Sequence, residues 1–275
     1  MEPFWMLFYF ILGTIVGSFL NVVALRYNSG RGLTGRSSCF SCGSVLSWNE
    51  LIPILSYVIN SGRCRNCGSR ISLQYPFIEI FTGILFLGAY LLGLPLYYLL
   101  YTLIIFSILI VILIYDFRHH IIPDGLVYSF IAFVFAGLFI DFSLSALAIP
   151  TVLDIVAGPI LSFPIAALWF ISHGRWIGLG DAKLALGIGW MLGLSGGFSA
   201  IVLSFWIGAF VSVSILFVNR VIFFISRRKW WSISLFSGSR QLTMKSEVPF
   251  APYLIGGLLL VFFFNINVLE LFVIG

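Results

Sequence analysis

Two aspartates at the ends of apolar stretches have the residue type and the placement that catalysis could use. Asp116 closes a long apolar stretch in the segment YDFR, and Asp181 follows two glycines in the segment GLGD. When two carboxyl groups lie close together, they do not both ionise easily, so one keeps a proton while the other stays charged. Such a pair activates water for amide hydrolysis, with one member as general base and the other as general acid.

Each of these aspartates also has a structural interpretation. Asp116 can pair with Arg118, and Asp181 can cap the helix that follows it. Asp124 follows Pro123 and precedes an apolar stretch, which is typical of a helix N-cap. We therefore expect Asp124 to be structural, while both interpretations stay open for the other two.

Three further residues are candidates for a supporting role. Gly178 and Gly180 allow a close backbone approach or a turn with positive φ beside Asp181. Glu79 lies inside an apolar stretch, where an acidic residue is costly and is a functional candidate by default. Its carboxylate can contact a basic substrate segment or form a hydrogen bond between helices. The sequence contains no H-E-x-x-H zinc-protease motif and no phosphate-loop motif that offers a different chemistry.

Four cysteines form two C-x-x-C pairs, Cys39 with Cys42 and Cys64 with Cys67, separated by 21 residues. Paired C-x-x-C turns are typical of a tetrahedral zinc site, and four thiolate ligands make that site closed and structural. Disulfides, a redox motif and unligated thiols are the alternatives. Disulfides are disfavoured because the loop is assigned to the reducing cytoplasm.

The elements that must position these residues are membrane helices. Apolar residues make up 60% of the 275-residue chain, charged residues only 9%, and mean hydropathy is +1.09. Soluble domains average about 45–50% apolar and about 25% charged residues, so soluble, disordered and disulfide-scaffold classes are excluded. The unbroken apolar stretches favour helices over a β-barrel. The predicted fold is an all-α polytopic membrane protein with a small zinc-ribbon-like insertion.

Eight membrane spans are predicted from stretches of roughly 20 apolar residues. They lie near 4–25, 76–94, 96–115, 125–141, 149–171, 182–197, 198–219 and 251–273. The first is not expected to be a cleaved signal peptide, since Glu2 precedes it and no small-residue cleavage site follows. The predicted domains are a first helix (1–25), a cytoplasmic four-cysteine insertion (26–75) and a transmembrane region that carries both aspartates (76–275).

The basic residues indicate the orientation. In the eight-span arrangement all 15 Lys and Arg lie on one side of the membrane. By the positive-inside rule that side is the cytoplasm, which places both termini outside it. The net charge of +5 is then an orientation signal rather than a nucleic-acid footprint.

A second basic loop, about 220–249, carries the segment RRKWW. It is interpreted as a membrane anchor, with binding of anionic lipid or of a partner segment as the alternative.

The ordered motifs resemble the type IV prepilin leader peptidases, membrane aspartic proteases of the GxGD type, over residues 13 to 195. The matching residues run in chain order: Gly17-Ser18-Phe19-Leu20-Asn21-Val22-Val23 with Arg26, the two C-x-x-C pairs, Trp48, Ile52-Pro53, Ser56-Tyr57, Gly62-Arg63-Cys64-Arg65, Ile71-Ser72, Tyr75-Pro76, Glu79, Thr82-Gly83, Asp116 through Pro123-Asp124, and Gly178-x-Gly180-Asp181-x-Lys183.

The resemblance implies cleavage of the short basic leader from type IV prepilin or type II secretion pseudopilin precursors at the cytoplasmic face of the plasma membrane. It implies that Asp116 and Asp181 are the catalytic residues and that Asp124 is not. Lys183 belongs to the second aspartate motif. The resemblance also implies methylation of the new N-terminus with S-adenosylmethionine, for which no binding residue is assigned.

Two other functions compete with this interpretation. A non-enzymatic membrane scaffold would use the zinc loop to dock a partner, with both aspartates as helix caps. A proton-coupled transporter would use Asp116, Asp181 and Glu79 as a proton relay. The absence of an internal repeat and of an inverted pair of broken helices weakens the transporter interpretation.

Overall fold

The computed structural model describes residues 2–30, 32, 35–141, 146–226 and 249–273, and most of them are helical. The helices are α1 (Glu2–Arg26), α2 (Leu55–Ile59), α3 (Gln74–Leu91), α4 (Leu96–His119), α5 (Asp124–Gly137), α6 (Val152–Ser172), α7 (Leu179–Ser226), α8 (Ala251–Phe264) and α9 (Val268–Val273). A turn of 3-10 helix covers Trp48–Glu50, and strands β1 (Ile140–Asp141) and β2 (Ala146–Leu147) form an antiparallel hairpin. The predicted all-α membrane fold is confirmed.

Five of these helices, α1, α3, α4, α6 and α7, are long and apolar enough to cross a membrane. Helices α5 and α8 are apolar but have only 14 residues each. The last predicted span, 251–273, is wrong as a single helix. Helix α8 ends where Asn265 adopts a left-handed conformation (φ 49°), which asparagine tolerates better than most residues, and α9 begins after it.

Helix α7 reverses direction at Gly193. Its 48 residues would extend about 72 Å if straight, more than twice the roughly 30 Å of a bilayer core. Gly193 has φ 72° and ψ −177°, and a Cβ on Gly197 would lie 3.1 Å from the Cα of Gly189. Eight residues along a straight helix are about 12 Å apart, so the chain must fold back between them. Two spans were predicted here, with their boundary after residue 197 rather than at Gly193.

The chain divides into two compact units, Met1–Ile155 and Val156–Gly275. In the first unit, α1 packs closely on α3 through small residues. A Cβ on Gly13 would lie 2.7 Å from the Thr82 carbonyl oxygen, and one on Gly17 would lie 2.7 Å from the Thr82 hydroxyl. Small residues at helix contacts let backbones approach in this way. Helix α4 supplies much of the buried core of this unit, including Ile105, Phe106, Leu109, Ile110 and Ile112.

In the second unit, α6 meets the first half of α7 at a pair of glycines. A Cβ on Gly189 would lie 2.8 Å from the Cα of Gly158. Ala182 and Ala185 of α7 pack on Ile165 of α6 in a buried cluster. This packing fixes the first turns of α7, where Asp181 lies. The predicted domains 1–25, 26–75 and 76–275 are defined by function, whereas the two units are defined by compactness. The predicted domains therefore stay a prediction.

Candidate active site and zinc site

Asp116 lies in the last turn of α4, and only 4% of its surface is exposed. The helix ends because His120 takes a left-handed conformation (φ 54°), with its N–H donating to the carbonyl oxygen of Asp116 at 2.8 Å. The His119 ring packs on Tyr115 with ring centroids 4.4 Å apart. Both histidines are exposed, as expected for polar residues at a helix end.

A hydrogen-bond chain ties this turn to α1 and α3. Arg118 Nε donates to Gln74 Oε1 (3.0 Å), and Gln74 Nε2 donates to Asn21 Oδ1 (3.3 Å). Asn21, which is fully buried, donates in turn to the carbonyl oxygen of Tyr75 (3.4 Å). Gln74 was not identified as a functional residue in the sequence, because no local pattern indicates a contact between residues 44 positions apart.

Asp181 is the third residue of α7, and 7% of its surface is exposed. Its Oδ2 accepts a hydrogen bond from the Gly178 N–H (3.2 Å), and its own N–H donates to the Gly178 carbonyl oxygen (3.2 Å). The capping role considered for Asp181 is therefore realised in part. Neither Gly178 nor Gly180 has a positive φ, so the predicted positive-φ turn is wrong: Gly180 already lies in the first helical turn. The alternative, a close backbone approach at these glycines, stays a prediction. Lys183 is half-buried in the same helix.

Asp124 differs from both of these aspartates because it is exposed. Its predicted role as N-cap is wrong, since Pro123 holds that position in an extended conformation (φ −72°, ψ 127°). Asp124 is instead the first residue of α5, where a negative charge still favours the helix N-terminus.

Glu79 connects α3 to the cysteine-bearing insertion. It is buried, with 6% of its surface exposed, and its Oε2 accepts a hydrogen bond from the Ile54 N–H at 2.7 Å. Ser18 of α1 lies beside the same carboxylate. Ile54 has φ 63° and ψ −54°, and the Leu55 N–H donates to the Pro53 carbonyl oxygen (2.6 Å), which defines a strained γ-turn. The suggested contact between Glu79 and a basic substrate segment stays a prediction.

The four cysteines come together as predicted. Their sulfur atoms all lie within 4.8 Å of one another, and those of Cys39 and Cys67 are 3.9 Å apart. Zinc bound to four thiolates at about 2.3 Å in a tetrahedron requires sulfur separations of about 3.8 Å. Cys39, Cys42, Cys64 and Cys67 therefore fit a closed zinc site, which has no open position for catalysis.

The two cysteine turns have the same backbone structure. In the first, the Cys39 N–H donates to the Ser44 carbonyl oxygen and the Gly43 N–H to the Cys39 carbonyl oxygen. The same two bonds recur in the second turn, at the equivalent residues Cys64, Gly68 and Ser69, and both glycines have φ of +70°. The sequence signal for this shared structure is a repeated C-x-x-C-G-S hexapeptide.

The first turn also favours thiolates, the form of cysteine that binds metal. Backbone N–H groups of Cys42 and Ser41, together with the Ser69 hydroxyl, lower the pKa of Cys39 to about 6. The hydroxyl and N–H of Ser44 lower the pKa of Cys42.

Comparison with known proteins places most of the chain in two family models. Residues 11–92 match the bacterial peptidase A24 N-terminal domain, and residues 103–213 match the type IV leader peptidase family. The prepilin leader peptidase/N-methyltransferase of Bacillus subtilis (strain 168) is 31% identical over 267 residues, which is 96% of each chain. The chain belongs to the type IV leader peptidase family.

Two further relatives carry the same name. The one from Klebsiella pneumoniae is 34% identical over 206 residues, covering 70% of this chain and 87% of that protein. The one from Myxococcus xanthus is 35% identical over 190 residues, covering 68% of this chain and 56% of that protein's length. No solved structure matches the chain. Both Asp116 and Asp181 lie within the residues that match the type IV leader peptidase family.

Proposed function

We propose that this protein is a membrane aspartic endopeptidase that removes the short basic leader from type IV prepilin or type II secretion pseudopilin precursors. Cleavage takes place at the cytoplasmic face of the membrane, and methylation of the new N-terminus follows. The relatives named above support both activities by name. The family and the apolar helices support a multi-pass protein of the bacterial inner membrane.

The observation that carries the peptidase proposal is the placement of Asp116 and Asp181. Each is at least nine-tenths buried, and each lies in a terminal turn of a long apolar helix. Burial favours the neutral form of a carboxyl group, and a pair with one neutral and one charged carboxyl group is the state that aspartic proteases use. In the proposed reaction the charged carboxylate takes a proton from water while the water oxygen bonds to the carbonyl carbon of the scissile amide. The neutral carboxyl group then donates its proton to the amine that leaves as the C–N bond breaks. Gly178, Gly180, Lys183 and Glu79 are proposed to support this pair.

The proposed substrate is a single-span helix with its scissile bond at the membrane boundary, at the depth where terminal turns of spanning helices lie. Its leader is positively charged, and the side of this protein that carries the Lys and Arg residues is positively charged as well. Anionic lipid, or an acidic group such as Glu79, is proposed to offset that repulsion. The proposed orientation, with both termini outside the cytoplasm, rests on the one-sided distribution of Lys and Arg.

Zinc is proposed as a structural ion in the insertion, held by the four cysteine thiolates. When bound, it supplies stability to two short turns that have little apolar core of their own. S-adenosylmethionine is proposed as the methyl donor on the strength of the relatives' names. No cluster in the described part of the chain singles out residues for it, so no step is derived through this donor.

The test is prepilin cleavage by purified protein in detergent, comparing wild type with Asp116→Asn, Asp181→Asn and Asp124→Asn. Asparagine keeps the size of the side chain and removes its ionisable group. We expect the first two variants to lose at least 1,000-fold in kcat, by analogy with the loss of a required acid–base group. We expect Asp124→Asn to stay within about twofold of wild type, because exposed substitutions have small effects.

Gel filtration and helical circular dichroism serve as folding controls for all three variants. If Asp116→Asn and Asp181→Asn both cleave at the wild-type rate, the aspartates are structural and the proposed mechanism is wrong. The scaffold interpretation would then replace it.

A further inference from the structure

Residues 48–59 of the insertion carry an apolar face that the described part of the chain does not cover. In α2, the exposed fractions are 57% for Leu55, 66% for Val58 and 67% for Ile59. Trp48, just before it, is 74% exposed. A water-facing loop rarely groups large apolar side chains in this way, and contiguous exposed apolar patches mark interaction sites.

The charge pattern around this face is that of a segment at a membrane surface. No charged residue occurs between Glu50 and Arg63, an uncharged stretch of twelve residues. Arg63, Arg65 and Arg70 follow it and are exposed. Segments that lie in the membrane interface combine apolar side chains and tryptophan with basic residues that meet anionic headgroups.

The bond between Ile54 and Glu79 sets the depth of the segment. Helix α3 has 18 residues and is therefore about 27 Å long, slightly less than the roughly 30 Å bilayer core. Its first residue must then lie at the boundary, and the Cα of Glu79 lies about 7.5 Å further along the axis. Because the Ile54 N–H is 2.7 Å from the Glu79 carboxylate, the strained γ-turn holds Ile54 at or below the level where α3 enters the bilayer.

The apolar face also lies at the same depth in the membrane as a lipid-facing surface of α3. Phe77 and Ile80, in the same turns as Glu79, are 64% and 39% exposed and face outward from the helix bundle. A lipid-facing surface therefore exists at the height at which Ile54 is fixed. This continuity favours lipid over a protein partner as the material that covers α2.

We propose that residues 48–59 are an interfacial anchor that lies in the boundary between headgroups and acyl chains, on the side of the membrane that carries the insertion. Leu55, Val58 and Ile59 contact acyl chains, and Trp48 lies at headgroup level. The arginines that follow contact anionic headgroups. The zinc site is thereby held at a fixed height above the bilayer. This inference does not depend on the proposed peptidase activity.

The test is tryptophan fluorescence of the full chain in vesicles of phosphatidylcholine and phosphatidylglycerol. In a Trp48→Phe background, Leu55→Trp reports from the anchor and Asn66→Trp reports from an exposed polar position in the second cysteine turn. The signal of each added tryptophan is obtained by subtracting the background protein. We expect lipids brominated near the headgroup to quench at least half of the Leu55→Trp signal, and aqueous iodide to quench little of it. Asn66→Trp should show the reverse.

Two further measurements make the result decisive. Adding Val58→Asp should reduce the lipid quenching of Leu55→Trp at least twofold, whereas Val58→Leu should not, and gel filtration checks that each variant is folded. Equal iodide quenching of Leu55→Trp and Asn66→Trp, with no effect of brominated lipid, would show that the face lies in water and would overturn the proposal. Shielding from iodide only after a prepilin peptide is added would also overturn it, in favour of a substrate-docking surface.

Discussion

Burial separates the two candidate catalytic aspartates from the third one nearby. Asp116 and Asp181 are almost fully buried at helix ends, whereas Asp124 is exposed at the start of α5. The sequence predicted the first two as candidates from residue type and placement. The sequence did not predict that Asp124 lies inside the helix rather than at its N-cap. That position depends on whether the backbone of Pro123 is extended or helical, and the sequence permits both.

The cysteine site was the most predictable part of the chain at the level of residues. Thiolates and their spacing are local features, and each tight turn aims two sulfur atoms at one point. The partner of Glu79 was not predictable, since Ile54 lies 25 positions earlier and bonds through its backbone. A backbone N–H carries no signal in the residue type, and a β-branched residue at positive φ is contrary to local preference.

Zinc binding should weaken as the pH falls, because protons compete with zinc for the cysteine thiolates. The pKa of Cys39 is lowered to about 6 and that of Cys42 is also lowered, so these thiols lose their protons in the folded insertion more readily than in the unfolded chain. Their stabilising contribution is therefore present above the unfolded pKa and is lost as the pH falls through the folded pKa. Zinc retained after gel filtration between pH 8 and pH 5 measures this, and the retained fraction is expected to be lower at pH 5 than at pH 8. Full retention at pH 5, or no zinc at pH 8, would contradict the prediction.

At the scale of elements, the last turn of α4 is held by side chains from two other helices. Arg118 bonds to Gln74 of α3, which bonds to Asn21 of α1. The sequence predicted that these helices exist, because each corresponds to a long stretch of apolar residues. Their cross-links were not predicted, because contacts between distant polar residues depend on helix rotation, which nearly uniform apolar helices leave undefined in sequence.

Replacing Gln74 by leucine should slow cleavage without weakening substrate binding. The change removes the acceptor for Arg118 and the donor to buried Asn21, and a lost hydrogen bond of this kind costs about 1 kcal/mol. If that cost falls on the placement of Asp116, kcat should drop about fivefold while KM stays near its wild-type value. Gln74→Glu, which keeps the acceptor for Arg118, should recover part of the rate. A change in KM alone would assign Gln74 to substrate binding instead.

The reversal in α7 depends on one glycine. Gly193 has φ 72° and ψ −177°, a region essentially reserved for glycine, and a Cβ there would meet no atom within 4 Å. Gly193→Ala should therefore destabilise the protein through backbone strain alone, by about 1–3 kcal/mol. Thermal unfolding in detergent measures the effect.

Gly256→Ala is a matched control for that substitution. Gly256 also has open space around it, but it lies inside α8 with a helical conformation, where alanine is favoured. We expect this variant to be neutral or slightly more stable. Equal stability of both variants would mean that the reversal does not require glycine at position 193.

For the whole molecule, hydropathy predicted the helical membrane fold and erred where polar or glycine residues interrupt apolar stretches. Asn265 divides the last span, and Gly193 places the reversal four residues before the predicted boundary. Both are single-residue backbone effects inside apolar sequence, which a hydropathy average over about 20 residues cannot locate. The division into two compact units was not predicted either, because it depends on packing between helices of similar composition.

The charge distribution makes a prediction for the orientation of the whole chain. All 15 Lys and Arg lie on one side of the eight-span arrangement, and moving such clusters across the membrane is unfavourable. An alkaline phosphatase fused after Asp141, in the hairpin between α5 and α6, should be active because it lies outside the cytoplasm. The same enzyme fused after His120, before α5, should be inactive, while green fluorescent protein fused there should fluoresce. These two sites lie on either side of one 14-residue helix, so they also test whether α5 crosses the membrane. Equal phosphatase activity at both sites would show that α5 does not cross, and the predicted eight spans and outward termini could not both hold.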